Sequence, residues 1–150
     1  MVSLRPYPEA DLEAMWAESG ARYADDLREN GGLAEDEAGA KAEKDNEWLR
    51  GLERLLVYEV EDDGARIGRV VLWLDAFEKP GSAWLFEIVL DESARGRGFG
   101  REALRLVEEQ ARSRGMTRID LNVFGGNAIA RSLYVSEGYA ESSMHMGKPL

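Results

Sequence analysis

The period of the apolar positions changes several times along the chain, and each change marks an element. From 8 to 29, Leu12, Met15, Trp16, Tyr23 and Leu27 recur at helical spacing. Pro8 fits the first helical position, with Glu9 and Asp11 complementing the helix N-terminus. Asn30-Gly31-Gly32 breaks the pattern, and a second helix follows over about 34–52, with Ala38, Ala42, Trp48, Leu49 and Leu52 on its face. Val2 to Pro6 reads as a short strand ahead of both. After Gly51 the period shortens to that of a strand. Leu55 to Val60, the turn Glu61-Asp62-Asp63-Gly64 and Ile67 to Leu74 read as a hairpin.

A turn through Lys79-Pro80-Gly81 leads to a third strand of that region, Trp84 to Leu90, apolar except for Glu87. Glycines then alternate with arginines before a helix over about 99–114 that carries Leu104, Val107 and Ala111 on one face and stops at Gly115. Ile119 to Phe124 reads as a strand and Gly125-Gly126 as a turn. Asn127 suits the N-cap of a helix bearing Ile129, Leu133 and Tyr134. Gly138 ends that helix, and Tyr139 to Lys148 reads as a last strand. The order β-α-α-β-β-β-α-β-α-β predicts a mixed α/β single domain with helices on both faces of a mostly antiparallel sheet.

Composition narrows the chemistry. The 150 residues suffice for one core, and the absence of cysteine excludes disulfides, thiolate metal sites and a cysteine nucleophile. No stretch resembles a signal peptide, and the longest apolar run, Val70 to Leu74, is too short to span a bilayer. These features fit a cytoplasmic protein without a membrane partner. The formal charge of −10 sits almost wholly in Pro8–Glu47, where thirteen carboxylates face four cations. Such acidity argues against nucleic-acid binding and favours cationic small molecules.

Between Arg95 and Arg114 the balance reverses, with six arginines against three glutamates. The stretch ARGRGFGREALRLVEEQ places Gly96, Gly98 and Gly100 at a strand-to-helix junction. Glycine lets main-chain N–H groups approach a ligand, and the following helix offers unpaired amides and a favourable dipole. Arg97 and Arg101 add fork-shaped donors for phosphate oxygens. The junction therefore suits a pyrophosphate. A nucleotide-binding Walker loop does not fit, because Arg101-Glu102 follows Gly100, and the glycine spacing is not that of a dinucleotide fingerprint.

Arg95-x-x-Gly98-x-Gly100 resembles the acyl-CoA loop of the GNAT superfamily of N-acetyltransferases. The stretch NAIARSLYVSEGY resembles that superfamily's second motif through Asn127, Ala130, Leu133, Tyr134, Gly138 and Tyr139. The resemblance spans 84–139 and implies a GNAT fold over residues 1–150, with 1–54 on the acceptor side. It implies transfer from acetyl-CoA to a primary amine of a small molecule or protein N-terminus, by direct attack with both substrates bound and no metal. Strands 84–91 and 118–124 would splay around the pantetheine arm. Ile88, Val89 and Leu90 would bond that arm through their main chain. Amides from Arg97 through Phe99 and Gly100 to Arg101 would take the pyrophosphate, with Arg95 and Gly96 shaping the loop and Asn127 lying against pantetheine.

The resemblance also implies that Tyr134 protonates the departing thiolate. Glu87, the one charge in WLFEIVL, is the candidate base. Some relatives carry a glutamate five residues before the motif asparagine; here that position is Asn122, which cannot serve as a base, so a relay through water to Glu87 or a substrate-side carboxylate stays open. His145, the only histidine, lies in the final strand pattern and reads as structural or exposed. Trp16, Tyr23, Trp48, Trp73 and Trp84 are candidates to line an acceptor pocket, although their spacing also fits core packing. The alternative function is a catalytically silent acyl-CoA-binding regulatory module. Family members are often dimers, but no residue here specifies a homodimer interface.

Overall fold

A computed structural model describes all residues, 1–150. Five strands form one sheet in sequence order: β1 (Val2–Pro6), β2 (Leu55–Asp62), β3 (Ala65–Trp73), β4 (Ser82–Leu90) and β5 (Arg118–Leu121). All neighbours are antiparallel except β4 and β5, which run parallel because helix α3 (Phe99–Ser113) carries the chain back between them. Helices α1 (Leu12–Gly31) and α2 (Glu35–Arg50) cover one face and α3 the other, while α4 (Ala128–Ser136) follows β5.

The central strand β3 is covered on both sides, which is why Val70, Val71 and Leu72 form an unbroken buried run. Val70 and Leu72 pack with Ala103, Leu104, Val107 and Ala111 of α3. Val71 turns the other way, to Met15 and Trp16 of α1. The small residues Ala24, Ala38 and Ala42 join Leu27 in a separate cluster that packs α1 on α2, and Phe124, just beyond β5, closes against it. Helix α1 thus reaches across the sheet to the β5–α4 loop.

Three features depart from the sequence reading. β5 ends at Leu121, so Asn122 to Phe124, expected within the strand, lie beyond it. Pro8 precedes a 3-10 turn at Glu9–Asp11, and the α-helix begins at Leu12. More importantly, there is no last strand. Residues 140–150 have no regular secondary structure and are exposed. Met144 and Met146 alternate there as in a strand, but both remain largely in solvent, and the serines, His145 and Gly147 around them offer no apolar set to bury. The observed order is β-α-α-β-β-β-α-β-α, within the mixed, mostly antiparallel architecture expected.

Candidate active site

The site begins where β4 leaves β5. The two strands pair only from Ser82 with Arg118 to Leu85 with Leu121. At that point β4 carries one extra residue: Leu72 stands opposite Leu85 and Val71 opposite Glu87, so Phe86 bulges. A bulge bends its strand and increases its twist. Beyond it, Glu87–Leu90 run along β3 on one side, and Phe86–Val89 border an open groove of about 1320 Å³ on the other. The bulge also sets facing. Glu87 and Phe86 both turn toward α1 and α2, where strict alternation from Trp84 and Phe86 would send Glu87 toward α3.

The ladder decides which main-chain groups reach the groove. Asp91 N donates to Ile67 O at 2.8 Å, so in antiparallel alternation Val89 forms a bonded pair with Arg69, and Ile88 and Leu90 turn their amides the other way. This corrects the expectation for Val89. Its carbonyl points into β3, 2.2 Å from where a Cβ on Gly68 would lie, so glycine is the residue that permits this approach. Ile88 and Leu90 turn their main-chain groups away from β3, and the Leu90 carbonyl accepts from Arg95 Nε at 3.0 Å.

The loop after β4 turns through Gly96 (φ 72°) and Gly98 (φ 85°), in left-handed backbone that favours glycine. The first helical bond of α3 runs from Glu102 N to Gly98 O, at 3.2 Å. The amides of Phe99, Gly100 and Arg101 precede it and have no helical acceptor. Gly100 lies inside α3, where a Cβ would make ordinary contacts with Leu90 and Leu133, so its backbone makes no special demand. Arg97 is exposed, its guanidinium 4.6 Å from the Phe99 ring centroid. Arg101 differs from expectation: its side chain bonds Ser136 at 2.9 Å and pairs with Glu137, and Arg105 bonds the same carboxylate at 2.8 Å. Arg101 is therefore a tie between α3 and α4, and its side chain is not directed at a loop ligand. The two arginines hold the Glu137 carboxyl down at about 2.

Glu87 meets partners that the sequence did not suggest. Ser19 Oγ donates to Oε2 at 2.6 Å, while Arg69 grips Oε1 through Nε and Nη2 at 3.0 and 2.8 Å. Arg69 also bonds Glu18 at 2.8 Å. Tyr134 lines the same groove, with its ring 5.6 Å from that of Tyr139. Burial pushes its phenol up, partly opposed by Arg22, so Tyr134 carries its proton at neutral pH. Burial also raises the carboxyl of Asp26, again against Arg22. Ser19, Arg22 and Asp26 were missed, yet their spacing of three and four places them on one face of α1. Asn127 caps α4, its Oδ1 accepting from Ala130 N at 3.2 Å. Asn122 and His145 also border the groove, the latter on the exposed C-terminal segment. Trp73 is buried away from the groove, whereas Trp16, itself largely buried, lines it together with Tyr23, Trp48 and Trp84, which keep part of their surface accessible.

Comparison with known proteins places the chain by family and fold. The sequence profile of the acetyltransferase (GNAT) family matches residues 11–139. A Bacillus subtilis (strain 168) protein named as an uncharacterized N-acetyltransferase, YdgE, is 30% identical over 99% of this chain and 98% of its own. The structure of YycN from Bacillus subtilis superposes with a TM-score of 0.92 at 24% identity, covering 100% of this chain and 99% of that one. The aminoglycoside N-acetyltransferase AAC(6')-Iy, solved in complex with CoA, shares the fold at a TM-score of 0.63 and 18% identity, over 100% of this chain and 95% of that one.

Proposed function

The chain belongs to the GNAT acetyltransferase family, and from that premise we propose that it transfers an acetyl group from acetyl-CoA to a primary amine by direct attack in a ternary complex. The observation that carries this reading is the parting of β4 from β5 after Leu85 and Leu121, with the glycine turn at the open end. An extended amide-bearing arm fits an open strand edge, where the amides of Ile88 and Leu90 act as a neighbouring strand would. The unpaired amides from Phe99 to Arg101 suit a pyrophosphate, with Arg97 as the nearby exposed cation.

The chemistry then falls to few side chains. The amine must be neutral to attack, and Glu87, held in place by Arg69 and Ser19, is the candidate to draw off its proton directly or through water. Nitrogen adds to the thioester carbonyl, the carbon–sulfur bond breaks as the amide forms, and the departing thiolate takes the Tyr134 proton. The raised phenol supports that role, because Tyr134 enters the step protonated. Asp26, a carboxyl raised by burial on the same side of the groove, is a second proton acceptor consistent with the electrostatics.

Calorimetric titration of acetyl-CoA is the direct test. One-to-one binding is expected, with loss in a folded Arg97→Glu/Gly98→Asp variant and weakening in Arg97→Glu alone. Absence of binding by the well-folded native protein would sink the reading. Binding without thiol release across a broad panel of amines would favour the catalytically silent acyl-CoA-binding module.

A further inference from the structure

Five aromatic rings meet on the α1/α2 side of the sheet: Trp48 on α2, Trp73 at the end of β3, Phe77 in the following turn, and Trp84 and Phe86 on β4. Trp73 and Phe86 stack at 5.9 Å, Trp48 stands edge-on to both, and Phe77 bridges Trp73 and Trp84 at 4.8 and 5.3 Å. Packing alone does not account for the group, since Trp48 is 51% and Phe77 60% exposed. The backbone sharpens the point. Phe77 has φ 55°, with Asp75 at 50° and Glu78 at 58°, a left-handed conformation that a bulky residue rarely adopts. Asp75 secures the turn by accepting from Gly81 N at 2.8 Å and pairing with Arg54. Strain retained to hold an exposed ring in place is a feature of ligand sites.

Four of the rings, Trp48, Phe77, Trp84 and Phe86, line the same groove as Glu87 and Ser19, with Trp73 buried behind them, and the bulge makes Phe86 and Glu87 consecutive residues on one face. Trp48, Phe77, Trp84 and Phe86 give one part of the groove a flat apolar lining, and Glu87 stands beside it, held by Ser19 and Arg69. Asp45, also in the lining, is engaged by Lys41 and Tyr23, and Asp120 by Arg118.

Resting on the acetyltransferase reading above, we propose that the acceptor is an arylalkylamine, whose ring docks on Trp48, Phe77 and Trp84 while its amine is presented to Glu87. Edge-to-face contacts of the kind the rings already make among themselves would hold it.

The test compares thiol release with 2-phenylethylamine, 2-cyclohexylethylamine, n-hexylamine and putrescine, using Trp48→Ala and Phe77→Gly; glycine accepts the backbone of position 77 while removing the ring. The expected result is a kcat/KM for 2-phenylethylamine about tenfold or more above the others, falling at least about tenfold in each variant, with the Kd for acetyl-CoA unchanged. Equal rates for ring and aliphatic amines, a preference for putrescine, or variants that keep the ring preference would each overturn the proposal. If no amine turns over, calorimetry of 2-phenylethylamine on the CoA complex decides, absence of saturable binding counting against it. A dimer that dissociates in Trp48→Ala while the ring preference persists would assign the patch to a second copy instead. Unchanged acetyl-CoA binding in these failures leaves the acetyltransferase reading standing; loss of acetyl-CoA binding in the native protein removes both.

Discussion

Glu87 illustrates how one carboxylate is prepared by residues distant in the chain. Ser19 lies 68 positions away and Arg69 18 positions away, yet together they fix both carboxylate oxygens. Glu87→Gln keeps the shape and hydrogen-bonding capacity near Ser19 while removing the charge that pairs with Arg69. Its kcat/KM is expected to fall on the order of 10²-fold, with acetyl-CoA affinity retained in parallel calorimetry. Tyr134→Phe removes only the phenol hydroxyl, and kcat is expected to drop by about 10²-fold or more at unchanged acetyl-CoA Kd. A Phe variant with native kcat would take Tyr134 out of the proton transfer. Tyr134 was legible because its motif is local, and Glu87 because it is the single charge in an apolar strand. Ser19 and Arg69 were not, since nothing in their neighbourhoods marks that both meet Glu87. Val89 was misread for a related reason: whether an amide faces in or out depends on ladder phase, which is fixed by the partner strand.

At the scale of elements, the tie between α3 and α4 has a pH signature. The Glu137 carboxyl falls from an ordinary 4.5 to about 2 on pairing with Arg105 and Arg101. A carboxyl lowered in the folded state favours folding above its unfolded pKa, and that contribution fades as the pH drops from 4.5 toward 2. Urea titrations are thus expected to show an acid-side loss of stability in the native protein that is smaller in Glu137→Gln. Equal acid limbs in the two proteins would refute the pairing. The α3 face is held more simply. Leu104 is fully buried in the core between α3 and the sheet, and Leu104→Ala is expected to cost about 2–5 kcal/mol in the same titration. Helix faces such as this were legible from period alone. The tail was not, because two alternating methionines imitate a strand without a surface to cover.

For the whole molecule, ligand and fold are linked through the groove. α1, α3, α4, β4 and β5 all border it, so a ligand bound there would touch the sheet and the helices on both of its faces. Acetyl-CoA at 100 times its Kd is expected to add about 2.7 kcal/mol of apparent stability, and at roughly 2–4 °C per kcal/mol to raise Tm by about 5–10 °C. The folded Arg97→Glu/Gly98→Asp variant is expected to show no such rise by calorimetric scanning. The architecture was legible because helical and strand periods alternate cleanly from Leu12 to Ser113, while the groove depends on a single break in one strand. Phe86 is the one residue by which β4 outruns β3 between Glu87 and Leu85. Read as an insertion, it has a simple reverse. Deleting it leaves Leu85 opposite Leu72 and Glu87 opposite Val71, so both halves of the ladder stay in register and the strand straightens toward β5. Such a chain is expected to fold with native circular dichroism and to bind no acetyl-CoA, which makes the difference between a closed sheet and a working cleft the length of a single codon.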